Sequence, residues 1–246
     1  MKIFGIIGFP LSHSFSSRFF SDKFETLKID AQYVNFSIES INAFPEILKL
    51  HPDLEGLNVT MPYKEKIIPF LDELSLEAEK TGAVNVVKII RKGYKNILKG
   101  YNTDVYGFMN SLKPLLKPFH KKALIFGTGG ASKAVTYGLS LLGIHYNSVS
   151  RFLVENNLIY SSLTPEIINE HKLIINATPA GMYPDVNNFP EIPYQGFSKE
   201  HLAYDLIYNP EKTLFLKKAS NYGATVKNGM EMLLLQAEEA WKIWNE

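Results

Sequence analysis

The 246-residue chain contains no cysteine, which excludes disulfides and thiolate chemistry and points to a reducing, cytoplasmic setting. It also lacks any apolar run of about 18 residues, so no segment is expected to cross a bilayer. Neither sign of charge dominates: 26 Lys and Arg stand against 25 Asp and Glu, for a net charge of +1. The two signs are interspersed, and the basic footprint of a nucleic-acid binder is missing. The six histidines are scattered, none in a spacing such as H-x-x-x-H, so no metal site is expected. Met1-Lys2-Ile3-Phe4-Gly5 reads as a strand entering a Gly/Pro turn, with no signal-peptide pattern. What is present is a globular composition, 46% hydrophobic, and length enough for two ordinary domains.

Apolar periodicity gives an alternating α/β order. Strands are expected at 3–8, 33–36, 57–60, 84–90 and 95–101, the last two as a hairpin around Arg91-Lys92-Gly93. Helices are expected at 14–27, 41–50, 64–70, 74–81 and 104–116, the last ending near Pro114 and Pro118. A second series follows, with strands at 123–126, 147–149, 173–176 and 202–205 and a short one at 225–226. Helices at 213–221 and 230–244 close the chain. The stretch 151–163 holds paired Asn and Ser residues, which are poor helix material. The crossover there reads as a loop plus a short turn near 165–170.

The most informative segment is Ala123-Leu-Ile-Phe-Gly-Thr-Gly-Gly-Ala-Ser-Lys-Ala-Val135. A buried strand breaks into Gly127, Gly129 and Gly130, and helix formers follow at once. That order suits a dinucleotide pyrophosphate, because free N–H groups and the positive dipole end of the new helix face the negative charge. Ser132 stands where the sixth-position glycine of G-x-G-x-x-G would be. The next strand ends near Val149, so Ser150-Arg151 meets the ribose 2′ position. NAD sites usually carry an acid there, whereas Arg suits a 2′-phosphate. No acid occupies 149–151, so NADP is preferred over NAD.

Other strand ends supply polar groups. Gly8-Phe9-Pro10-Leu11-Ser12-His13-Ser14-Phe15-Ser16 places three hydroxyls at a helix start, fit to hold a carboxylate or, more simply, to cap the helix. Lys64, in Asn58-Val59-Thr60-Met61-Pro62-Tyr63-Lys64, is expected at a helix N-terminus, where the dipole lowers a lysine pKa and favours proton transfer. Gly100-Tyr101-Asn102-Thr103-Asp104 ends another strand; Asp104 serves either a site or the cap of the next helix. Asn85 sits among apolar residues and needs partners, from the protein or from a ligand.

These segments, with Asn176-Ala-Thr-Pro-Ala-Gly-Met182, Tyr208-Asn209-Pro210 and Gly229…Met232…Gln236-Ala237, resemble the shikimate dehydrogenase family, in order and over nearly the whole chain. The resemblance implies an α/β fold of two domains. Residues 1–107, completed by the C-terminal helix 228–246, would bind substrate, and 108–227 would form a Rossmann-like NADP domain. The implied reaction is reversible reduction of 3-dehydroshikimate to shikimate. Lys64 would be its acid/base, beside Asp104. Ser14, Ser16 and Tyr208 would bind the substrate carboxylate, and Thr60, Asn85, Asp104 and Gln236 the ring hydroxyls. Gly127, Gly129, Gly130 and Ala131 would cradle the pyrophosphate, Ser150 and Arg151 would meet the 2′-phosphate, Thr178 and Gly229 the nicotinamide end, and Thr128 and Leu206 would also bind the cofactor. The partner implied is a small molecule, with monomer and homodimer both open. The family commonly has Asn where Ser150 stands, a second basic residue at Glu155, Pro at Ser17 and Gly at Glu231. A quinate/shikimate dehydrogenase using NAD and a non-catalytic shikimate or nucleotide sensor are the alternatives.

Overall fold

A computed structural model describes residues 1–11, 14–93, 95–152 and 157–246. The chain divides into two compact units, Met1–Thr103 with Ala237–Glu246, and Asp104–Gln236.

The first unit contains β1 (Lys2–Gly8), α1 (Phe15–Thr26), β2 (Ala31–Ser37), α2 (Phe44–Leu50), β3 (Leu54–Val59), β4 (Glu73–Leu74), α3 (Leu76–Thr81), β5 (Val86–Lys92) and β6 (Lys95–Tyr101). Its sheet runs β2-β1-β3-β5-β6-β4. The first three strands are parallel, and β5 enters antiparallel to β3, with Asn58 opposite Val86. Strand β1 is a nearly continuous apolar run, and β3, though it carries Glu55 and Asn58, is buried at every position but Glu55, because both faces of the two strands are covered. One face packs on Phe44, Ile47, Ile67 and Ala78. The other packs on an aromatic cluster in which Phe4 lies 5.0 Å from Trp244 and 5.5 Å from Trp241. Trp244 Nε1 also donates to Val87 O at 3.1 Å. These contacts hold the end of the C-terminal helix on the first unit, the return that the family resemblance implies.

Two expectations in this unit fail. No α-helix forms over 64–70; there is a turn and a single 3₁₀ turn, Ile68–Phe70. The Lys64 carbonyl, which a helix would bond to its own backbone, accepts instead from Val84 N at 2.7 Å, and Pro69 has no N–H to offer. Leu74 belongs to an edge strand, so α3 starts two residues later, capped by Ser75.

The second chain segment begins with α4 (Thr103–Leu112), then β7 (Lys122–Phe126), α5 (Gly130–Leu141), β8 (His145–Ser150), β9 (Leu158–Ile159), α6 (Pro165–Glu170), β10 (Leu173–Asn176), β11 (Leu202–Asp205), α7 (Leu214–Asn221), β12 (Thr225–Lys227) and α8 (Met230–Asn245). The sheet order β9-β8-β7-β10-β11-β12 is all parallel and corresponds to the 3-2-1-4-5-6 order of dinucleotide-binding folds. Helix α4 stops at Leu112 and passes into a 3₁₀ turn, Lys113–Leu115, four residues earlier than the apolar pattern suggests, because Pro114 cannot continue the ladder. The thin second crossover is not a plain loop: it contributes β9, paired to Val149 and Ser150, before a 3₁₀ turn at Tyr160–Ser162 and α6.

Candidate active site

In sheets of this order a ligand binds outside the carboxyl ends of the strands, where the strand order reverses. Here that switch point lies between β7 and β10. Gly127 follows β7 with φ of 101°, a left-handed conformation that glycine adopts without strain. A Cβ at Gly127 would stand 2.9 Å from Ala177 O, so the turn after β7 is pressed against the turn after β10. Ser132 Oγ donates to Gly127 O at 2.8 Å and closes the loop onto the first turn of α5. Gly129 is the N-cap of α5 and offers no side-chain cap to the free N–H groups behind it. A Cβ added at Gly129 or Gly130 would meet nothing within 4 Å. Protein packing therefore does not require glycine at these two positions, whereas an anion approaching the backbone does. Thr128 and Gly129 are exposed, and Gly130 and Ala131 half-buried. The residues present fit a dinucleotide pyrophosphate.

Beyond β8 a cavity of about 430 Å³ is lined by Arg151, Tyr160, Ser161 and Glu191. Tyr160 stacks near Phe126, ring centroids 5.6 Å apart. Burial pushes its phenol up to about 12, against the pull of the Arg151 charge. Arg151 is exposed, and the Ser150 hydroxyl donates to Phe152 O, holding the turn that carries Arg151. Sequence reasoning does not single out Tyr160, Ser161 or Glu191, which reach this cavity from the turn after β9 and from a distant loop. Glu155 and Ser12 lie outside the described residues.

On the other side of the switch point, Asn176 ends β10 and Asp205 ends β11, in register and wholly buried. Thr178 donates its N–H and hydroxyl to Asn176 Oδ1, at 3.1 and 2.6 Å. The Asp205 carboxylate accepts from Asn176, Ile207 and Thr213, and burial outweighs those bonds to push the carboxyl up to about 6. Leu206 and Tyr208, both half-buried, follow in the same segment. Gly229 comes so near that a Cβ there would lie 2.0 Å from Leu206 O, a contact only glycine permits.

In the first unit, Ser14 is the N-cap of α1 and accepts from Ser17 N at 3.3 Å, so the simpler of its two readings holds for its oxygen. Ser16 is buried against Tyr33, whose hydroxyl donates to Asn58 Oδ1 at 2.6 Å. Burial raises the Tyr33 phenol, and the Ser16 hydroxyl bond opposes the rise. Thr60 follows β3, its N–H donating to Ile7 O at 2.9 Å. Lys64, half-buried, lies in the turn after β3, so the helix that its dipole argument requires is not there. Asn85 finds protein partners: its Nδ2 donates to Thr103 Oγ1 at 2.9 Å, and Thr103 N donates to its Oδ1 at 2.7 Å. Asp104, buried, is the next residue and lies inside the first turn of α4, past the position that would cap it. Gln236 is buried on α8, where its Nε2 donates to Leu233 O. Among the described residues no cluster of His, Cys, Asp or Glu could hold a metal ion, and no helix is long and apolar enough to cross a membrane.

Residues 6–87 match the family described as shikimate dehydrogenase substrate binding domain. The NADP-dependent shikimate dehydrogenase of Caldanaerobacter subterraneus subsp. tengcongensis is 38% identical over 265 residues, spanning 99% of this chain and 91% of its own. The shikimate 5-dehydrogenase of Thermus thermophilus, solved in complex with NADP(H) and shikimate, is 32% identical with a TM-score of 0.86, over 99% of this chain and 93% of that one. The Listeria monocytogenes enzyme, solved with shikimate and NAD, is 28% identical with a TM-score of 0.86, over 100% of this chain and 92% of that one. Identity at this level, carried across nearly the full length with the glycine loop and the polar strand ends in the same chain, shows that the protein belongs to the shikimate dehydrogenase family.

Proposed function

We propose that the protein catalyses the reversible, NADP-dependent reduction of 3-dehydroshikimate to shikimate. The observation that carries this reading is the open glycine cradle at the switch point, in a chain that also keeps Lys64, Asp104 and the hydroxyl and amide groups suited to a polyhydroxy acid. Its cysteine-free composition supports a cytoplasmic setting.

Gly127, Thr128, Gly129, Gly130 and Ala131 hold the pyrophosphate, Ser150 and Arg151 the 2′-phosphate, and Thr178, Leu206 and Gly229 the nicotinamide end. Ser14, Ser16 and Tyr208 bind the substrate carboxylate; Thr60, Asn85, Asp104 and Gln236 bind its hydroxyls. When bound, the reduced nicotinamide supplies hydride to the C3 ketone. Lys64 gives its ammonium proton to the oxygen as negative charge develops there, and takes the proton back in the oxidative direction. Its positive charge also lowers the barrier before the proton moves. Asp104 orients the lysine and one substrate hydroxyl, which keeps the proton path short. The reading is tested by mixing purified protein with shikimate and NADP⁺ and following the reduced-nicotinamide absorbance. Absorbance should rise only when shikimate is present; no rise with either NADP⁺ or NAD⁺ refutes the enzyme reading.

Cofactor choice has its own test. Arg151 shares its cavity with the carboxylate of Glu191, so the 2′-phosphate meets one favourable and one unfavourable charge. A charge-assisted contact contributes about 1.5–3 kcal/mol, roughly ten- to a hundredfold in affinity. Arg151→Ala should therefore weaken NADP by about that factor and leave NAD almost unchanged, in titrations of both cofactors. Equal loss of the two would show that Arg151 supports the loop instead of the phosphate.

A further inference from the structure

We propose that Asp205 is a positioning residue for hydride transfer: its buried carboxylate ties the segment after β10 to the segment after β11, and through Ile207 to Gly229. The inference rests on the dinucleotide reading above and concerns the half of the site that the glycine loop does not build. One carboxylate oxygen accepts from Asn176 Nδ2 at 3.1 Å and from Ile207 N at 3.1 Å, and the other accepts from Thr213 Oγ1 at 2.6 Å. Asn176 passes the tie onward, because its Oδ1 holds Thr178 and its Nδ2 also reaches Ala180 O at 3.4 Å. Ile207 passes it the other way, its carbonyl accepting from Gly229 N at 3.0 Å. One carboxylate thus fixes, directly or through one neighbour, the residues proposed to wall the nicotinamide on both sides.

Packing alone does not call for this group. Asp205 is fully buried, its bonds among the described residues include no cation, and the paired positions two residues back on the same face, Ala203 and Ile174, are apolar. Taking a carboxylate out of water is costly, and an apolar or neutral replacement often serves stability as well. What the carboxylate supplies is three acceptor bonds converging on two loops, at the ends of the two strands that carry them. A misplacement of about 1 Å in a reacting geometry can cost a hundredfold in rate.

The test compares Asp205→Ala and Asp205→Asn with the wild type. Asparagine can keep Asn176 and Ile207 on its oxygen and donate its amide to Thr213, so it should preserve the tie, whereas alanine removes it. With Asp205→Ala, kcat should fall about ten- to a hundredfold, while affinity for 2′,5′-ADP, which probes only the adenosine half, stays the same. Amide hydrogen exchange should quicken in 177–183 and 206–210 but not in 122–150. Asp205→Asn should recover most of the lost rate. Unchanged exchange in Asp205→Ala, loss of 2′,5′-ADP affinity in step with kcat, or asparagine no better than alanine would each overturn the proposal. The exchange comparison needs no turnover, so it decides the tie even if the wild type fails to oxidise shikimate, a result that would instead remove the enzyme reading.

Discussion

Replacing Lys64 with alanine should lower kcat by two or more orders of magnitude while shifting KM for shikimate little. The turn that carries Lys64 is held by its backbone and its neighbours: the carbonyl of Lys64 accepts from Val84 N at 2.7 Å, Ile67 N bonds Tyr63 O at 3.0 Å, and buried Tyr63 donates its hydroxyl to Ile38 O. None of these three bonds uses the lysine side chain, and all three stay available to the turn after truncation. The loss then falls on the transition state, where an ammonium both neutralises the developing alkoxide and supplies its proton. Proton transfer of this kind is worth about 10²–10⁴ in rate. An interaction made only in the transition state lowers kcat and kcat/KM equally. Steady-state kinetics on Lys64→Ala therefore separates the roles: a raised KM with unchanged kcat would make Lys64 a binding residue and place the proton donor elsewhere.

Gly129→Val should abolish useful cofactor binding without destabilising the fold, with Kd rising a hundredfold or more. Gly129 has φ −79° and ψ −176°, extended backbone that valine also adopts, and a Cβ there meets no protein atom within 4 Å. The side chain would project into open space at the residue that caps α5, next to the N–H groups proposed to hold the phosphates. Losing two charge-assisted bonds of about 1.5–3 kcal/mol each gives at least that factor. Thermal unfolding without ligand should match the wild type. Gly127→Ala provides the contrast, because its positive φ and its 2.9 Å approach to Ala177 O make any side chain strained. That variant should lose stability as well as affinity. Wild-type affinity in Gly129→Val would show that the cradle is not the phosphate seat.

Where local chemistry alone decides, the sequence is legible. The strand–glycine–helix order at 123–135, the hairpin after Val86 and the amphipathic last helix all follow from apolar period and glycine placement. The helix expected at 64–70 fails although its apolar spacing is real, because the Lys64 carbonyl has a long-range partner in Val84 that no window around it reveals. The edge strands β4 and β9 are two residues each, too short for alternation to register, and they form because β6 and β8 offer open edges. Asp205 escapes a motif search although an acid closing an apolar strand is a visible signal; its partner Thr213 is eight residues away and comes near only through the turn. Glu191 is invisible for the same reason, since its place in the cavity of Arg151 depends on how a distant loop folds back.

Enzymatic identity is tested most directly by crossing shikimate and quinate with NADP⁺ and NAD⁺ on the wild-type protein, following reduced-nicotinamide absorbance and identifying the organic product. Turnover is expected with shikimate, with 3-dehydroshikimate formed in equal amount to reduced cofactor and NADP⁺ preferred over NAD⁺. Preferred turnover of quinate with NAD⁺, or no turnover in any of the four combinations, would contradict it.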